Sequence, residues 1–338
     1  MIDVLMQYAL FLAQVVTLVA GIGVIIVMIA TAVRRSKDED RLEINNLNAR
    51  YKQMELSLKH ELLDKKLFRG EAKAARKAAR KKTPAPDKRL FLVNFRGDIR
   101  ASAVSSLREE ISAILTVATA GDEVLVRLEN AGGLVHDHGL AASQLARVRD
   151  KGIRLTVAVD KIAASGGYLM ACIADRILAA PFAVLGSIGV LAQIPNFNRM
   201  LDSHGVDFEQ FKAGEYKRTV TLFGKNTDAD REKFSQEISD THALFKEFVA
   251  QQRPSLDVDK VATGEHWYGK RALDLALCDE LKTSDDYLLE RSADTGIYEV
   301  KYTTRKPLAR KLTAAINSGC LAAMESVRQH VYEGRYAA

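Results

Sequence analysis

Residues 163–167 read Ala-Ala-Ser-Gly-Gly, the clearest opening for nucleophilic chemistry in the chain. Small neighbours expose the Ser165 hydroxyl, and free amides at a helix start point at a developing anion. A serine at a helix start is also an ordinary N-cap, so it needs a base before it counts as a nucleophile. Ala163 stands where a GxSxG elbow carries its first glycine, and Tyr168 stands where an SxxK pair carries its lysine. His136, Asp137 and His138 follow Gly133, a place where loop capping and metal binding compete with a triad role. The remaining route is a neutral lysine base, which requires burial to bring an amine from about 10.4 toward neutrality. Lys217, in Ala213-Gly-Glu-Tyr-Lys-Arg-Thr219, follows a glycine turn and precedes the apolar stretch Val220–Phe223. Lys161 is its rival, four residues before Ser165.

These residues hang on alternating strands and helices. Strands are expected at Leu90–Phe95, Glu123–Leu128, Arg154–Val159 and Arg176–Ala179, with Ser187–Val190 in a turn or short strand. Helices are expected at Ser105–Val117, Leu140–Val148, from Ser165-Gly-Gly through Cys172, and as one long amphipathic helix over Asp228–Arg253. Such βα alternation predicts an α/β fold with helices packed on a largely parallel sheet. Loops after the second and third strands, Asn130-Ala-Gly-Gly133 and the Ser165 turn, carry the small residues that let a backbone approach a ligand.

The whole chain has 338 residues, 47% hydrophobic and 27% charged, with 21 Gly and 6 Pro, which excludes collagen-like and proline-rich disordered classes. Cys172, Cys278 and Cys320 are too few and too far apart for a disulfide framework. Tyr8–Val33 is a run of 26 residues without a charge, enough for a transmembrane helix, which needs roughly 20. Residues 1–7 form a short flank with no Lys or Arg, so a retained anchor over 8–33 is expected rather than a cleaved signal peptide. Arg34, Arg35, Lys37, Arg41, Arg50 and Lys52 follow it, and the positive-inside rule then puts the rest of the chain in the cytoplasm.

Residues 34–88 hold 17 Lys/Arg against 9 Asp/Glu and read as a basic helical stalk. Ile44, Leu47, Tyr51, Met54 and Leu58 would form a coiled-coil-like seam. A basic strip of this kind suits anionic lipid headgroups; without interleaved aromatic residues, nucleic acid is not expected as a partner. Thr83-Pro-Ala-Pro86 marks a hinge before the folded part, residues 89–300, and residues 301–338 form a basic tail. Gly264–Lys270 spells GxxxxGK, but Arg271 replaces the hydroxyl residue of a phosphate loop, and Trp267 reads as packing.

Asp160-Lys-Ile-Ala-Ala-Ser-Gly-Gly-Tyr168, Gly186-Ser-Ile-Gly189, Gly214-Glu-Tyr-Lys-Arg218 and the stretch from Gly264 to Glu280 together resemble the signal peptide peptidase A family, and within it the SohB branch. The resemblance spans roughly residues 89–300 plus the placement of the anchor. It implies a ClpP/crotonase-type spiral of βα units and a membrane-anchored serine endopeptidase of the bacterial inner membrane. Ser165 would be its nucleophile, Lys217 its general base and Ser187 the hydroxyl that orients the lysine. Gly132 and Gly166 would supply the oxyanion amides, from a loop in which Ala131 stands where the family usually has proline. No metal and no cofactor are implied. The implied partners are peptide or membrane-protein substrates, membrane lipid and further copies of the chain in a homo-oligomer. Family analogy favours a periplasmic catalytic domain, against the flanking charge. A crotonase-type CoA-ester enzyme and a non-catalytic membrane scaffold are the competing functions.

Overall fold

The computed structural model describes residues 17, 21, 41–70, 73 and 88–303. Nearly all of the expected anchor over 8–33, the hinge, and the tail from residue 304 on lie outside the described residues. Among those described, no helix is long and apolar enough to cross a membrane. Leu42–Tyr302 forms one compact unit, which holds the elements treated below apart from the end residues Arg41 and Thr303.

Strands β2 (Arg89–Arg96), β3 (Glu123–Glu129), β4 (Arg154–Val159) and β6 (Arg176–Ala179) pair side by side in parallel. Their sequences are near-continuous apolar runs because a parallel sheet is covered on both faces. The two-residue period shows in β2: Phe91, Val93 and Phe95 enter one core, Leu90 and Leu92 the other. Helices α2 (Val104–Val117) and α3 (Val135–Asp150) cover the first face, burying Leu107, Ile111 and Ile114 from one, Ala142, Leu145 and Val148 from the other. These elements match the expected positions, although α3 begins five residues before Leu140.

The stalk reading is corrected at residues 41–62. Arg41–Asn46 is not helical but forms β1, at the edge of a seven-stranded sheet ordered β1-β10-β2-β3-β4-β6-β9, with β9 at Glu280–Leu281 and β10 at Gly296–Thr303. Helix α1 (Leu47–Leu62) follows, started by the Asn46 side chain accepting the Ala49 amide. Leu47 and, in part, Tyr51 pack into the second core, while Ile44, Met54 and Leu58 stay exposed, so the five residues are not buried as one stripe within the chain. The Asn48 side chain donates to the Ser292 and Thr295 carbonyls and accepts the Ile297 amide, tying α1 to the start of β10. Periodicity alone cannot see such long-range polar ties.

A second, three-stranded sheet joins β5 (Ile162–Ala164), β7 (Val184–Gly186) and β8 (His266–Tyr268). Beyond it runs a segment with a different character. From Gly189 to Phe248 no residue is buried, although this stretch includes the short helix α5 (Asn198–Ser203) and most of the long helix α6 (Asp228–Gln252). Helix α6 starts at a capping box of Thr227 and Asp230.

Candidate active site

Asn130, just past β3, makes an isolated parallel bridge to Ala163. Its amide donates to the Ile162 carbonyl at 2.9 Å, and its carbonyl accepts the Ala164 amide at 3.0 Å. The Asn130–Gly133 loop is thereby zipped to the strand that delivers Ser165. Gly132 completes the contact: with φ +93°, it lies so close that a Cβ there would sit 2.7 Å from the Ser165 Cβ. Only glycine fits.

Ser165 then turns the chain sharply. Its φ of 52° and ψ of −119° are rarely adopted by residues with a side chain, at a cost of order 1–3 kcal/mol. Its amide is held by the Gly186 carbonyl at 2.8 Å, and its own carbonyl accepts the Leu169 amide at 3.0 Å. The short helix α4 (Gly166–Ala171) departs directly from this turn. GxSxG elbows solve the same problem with glycine at the position Ala163 occupies; here close approach is supplied by Gly132, Gly166 and Gly167.

Ser165 opens onto a cavity of about 360 Å³. Gly133 and Gly166 line its polar edge, while Val135, Leu169, Val190, Leu244, Phe245 and Phe248 make the wall apolar. The α6 contribution, Thr241, Leu244, Phe245 and Phe248, is spaced i, i+3, i+4, i+7 along one face. That spacing was readable as amphipathic; that it faces a serine was not.

The amides of the two glycine loops differ in their partners. Gly132 N–H donates to Asn130 Oδ1 at 2.9 Å and is thus taken. Gly133, the next residue, lines the cavity, and neither its amide nor that of Gly166 has a protein acceptor among the described residues. The side chain of Asn130 had no signal in the sequence, because its partner is two residues away and its role depends on the turn between them.

Lys217 is not brought to Ser165. It is exposed, lies in the segment without buried residues, and is absent from the cavity wall. Ser187 comes closer in the fold: it follows Gly186, whose carbonyl holds the Ser165 amide, and it too has a positive φ, 52°. The Glu265 carbonyl accepts its amide at 2.6 Å, and Trp267 packs over Gly186, where a Cβ would meet the indole at 2.8 Å. The rival Lys161 sits in an exposed ion pair with Glu129 at 3.4 Å. A hydrogen bond from Arg96 holds the Glu129 carboxyl below its usual range, and Lys161 adds to this. His136 is exposed, 3.7 Å from Asp137, whereas His138 is fully buried. The described thiols offer no alternative nucleophile, since burial pushes Cys172 and Cys278 up to about 12.

Residues 3–145 match the description "Peptidase family S49 N-terminal", and residues 147–297 match "Peptidase family S49". The chain belongs to peptidase family S49 and is by that membership a peptidase. It is 46% identical over 328 residues to "Probable protease SohB" of Haemophilus influenzae, covering 91% of this chain and 92% of that one. A protein of the same name in Buchnera aphidicola subsp. Acyrthosiphon pisum is 46% identical over 317 residues, covering 93% and 94%. Among solved structures, the 1510-N membrane-bound stomatin-specific protease shows a partial likeness, over 68% of this chain and 98% of that one, with TM-score 0.43 and 11% identity.

Proposed function

We propose that the chain is a serine endopeptidase with Ser165 as nucleophile and an apolar side chain of the substrate seated in the cavity beside it. The observation that carries this reading is the Ser165 turn itself: a positive-φ serine between two glycine loops, opening on an apolar wall. The Ser165 hydroxyl attacks the peptide carbonyl, its proton passes to a base, and the oxyanion rests on the Gly133 and Gly166 amides. Each such donor is typically worth about 2.7–4 kcal/mol. The expected pair Gly132 and Gly166 is thus shifted by one residue, because Asn130 occupies the Gly132 amide.

The base is Lys217, supplied by a neighbouring copy of the chain. Among the described residues no lysine lines the Ser165 cavity, and Lys217 stands exposed. Its segment also presents Leu191, Phe211 and Tyr216, 80%, 92% and 58% exposed, which an isolated chain leaves in water. Ser187, next to the turn, would receive and orient the incoming amine. Tyr8–Val33 supports an anchor in the bacterial inner membrane, and the basic residues after it support a cytoplasmic peptidase domain. Apolar peptides, such as remnants of signal peptides, suit both the anchor and the cavity.

The test is labelling of the full-length protein with a fluorophosphonate probe, the modified residue being located by mass spectrometry. Modification at Ser165 and loss of peptide hydrolysis in Ser165→Ala support the reading. Turnover of an acyl-CoA with no peptide hydrolysis would replace it with the CoA-ester alternative.

A further inference from the structure

His138, on the first turn of α3, is fully buried and has no part in the mechanism above. Its Nε2 lies 3.2 Å from Asn130 Oδ1, the same oxygen that accepts the Gly132 amide. Because Gly132 donates to that oxygen, the hydrogen between Asn130 and His138 belongs to Nε2. Nδ1 lies 2.9 Å from the Leu134 carbonyl, a second acceptor, so with its hydrogen on Nε2 the neutral ring makes no hydrogen bond there and is tied through Asn130. On its other side, Asn130 Nδ2 reaches only the Met170 sulfur at 3.4 Å.

The ring touches the second amide-bearing segment as well. A Cβ on Gly166 would lie 2.5 Å from His138 Cγ and 2.6 Å from Cδ2, so the imidazole is seated directly against the Gly166 backbone. One side chain therefore contacts both loops whose amides face the cavity. It reaches the Gly132–Gly133 loop by a hydrogen bond through Asn130, and Gly166 by packing. Ala131 leaves that loop its full backbone freedom, so the restraint has to come from side chains.

Resting on the serine-peptidase reading, we propose that His138 is a positioning residue for the oxyanion site, holding the Gly133 and Gly166 amides in register through Asn130 and through its own ring. Its effect belongs to the transition state, where the carbonyl oxygen becomes charged, and not to the bound substrate.

The experiment compares full-length wild type, His138→Phe and His138→Gln in peptide hydrolysis, and in binding of a peptide boronate and of the matching product peptide. Phenylalanine keeps the ring and removes the donor; glutamine restores a donor of similar reach. In His138→Phe, kcat is expected to fall about 10–100-fold, less than the ~10²–10³ for loss of a whole donor, with KM within about twofold. Boronate affinity should fall with kcat while product affinity holds, and His138→Gln should recover most of the loss. Wild-type kcat in His138→Phe overturns the proposal, as does an equal loss of product binding. A glutamine variant that melts like wild type yet is no faster than the phenylalanine variant overturns it too. If Ser165→Ala keeps activity, the serine reading falls and takes this proposal with it. An unaltered His138→Phe beside an inactive Ser165→Ala removes this proposal alone.

Discussion

The β2–β7 region and the segment from Gly189 to Phe248 belong to one compact unit, yet they are built by opposite rules. In the first, β3 and β4 expose almost nothing, Ser165 is fixed by backbone hydrogen bonds on both sides, and the nearby glycines leave no room for a Cβ. In the second, no side chain is buried and aromatic residues meet water, with Phe197, Phe208 and Phe223 grouped at centroid distances of 6.0–6.1 Å. Ser165, the proposed nucleophile, is preorganised by its own chain. Lys217 sits on a surface that only further burial can turn into a site.

The contrast breaks most sharply at the proposed dyad. Ser165→Ala and Lys217→Ala are each expected to lower peptide hydrolysis at least ~10³-fold, because the proposed nucleophile and base would act as a unit. Mixing the two inactive variants under exchange conditions should restore part of the activity, since some sites then combine an intact serine with a neighbour's intact lysine. A mixture as dead as its components, assembled normally, would return both groups to one chain.

Next come the glycines. A Cβ at Gly167 would lie 2.1 Å from the Asn130 carbonyl oxygen, whereas at Gly214, φ +95°, the nearest atom is 4.0 Å away. Gly167→Ala should therefore melt lower by the overpacking cost of about 1–3 kcal/mol and lose activity. Gly214→Ala should show only the strain of a left-handed residue, about 1–2 kcal/mol at most. Equal melting shifts in the two variants would remove the distinction between the regions.

A smaller effect separates stability from assembly. Phe211→Ser, at a position 92% exposed, is expected to leave the melting of the isolated unit unchanged and to reduce the assembled mass in light scattering. A drop in melting without change in mass would mean that Phe211 packs within its own chain.

The smallest is a pH dependence of the buried region alone. Burial raises Asp279, but hydrogen bonds from Arg253 and the Ile177 amide outweigh it and hold the carboxyl below its usual range. Its folded value is thus lower than its unfolded one. The stability it contributes is complete above the unfolded carboxylate range and is lost as pH falls through the folded value. Acid melting should show a steeper fall for wild type than for Asp279→Asn, with the two curves converging at the lowest pH.

Much of the buried region was legible because its signals are local. The β2, β3, β4 and β6 runs, the small residues around Ser165 and the two-residue period all lie within a few residues of each other. What escaped depended on distant partners. β1 reads as helical seam because Leu47 and Tyr51 keep a helical spacing, while the strand before them is defined by β10, some 250 residues away. The Asn130 side chain, the Gly133 amide and His138 escaped for the same reason: their value lies in how a turn aims them. Nor could spacing disclose that Lys217 is exposed and absent from the lining of the Ser165 cavity.

The strand order carries a consequence for how the molecule is made. β10 lies between β1 and β2, and among the described residues β1 has no other neighbour in the sheet. During synthesis, Arg41–Asn46 leaves the ribosome long before Gly296–Thr303 exists to receive it, and must wait through some 250 residues of further translation. Leu47 waits with it, since Ile297 is part of the core that covers it. The first-made edge of the sheet is therefore among the last to close, and only a chain that has reached Gly296–Thr303 can seal it.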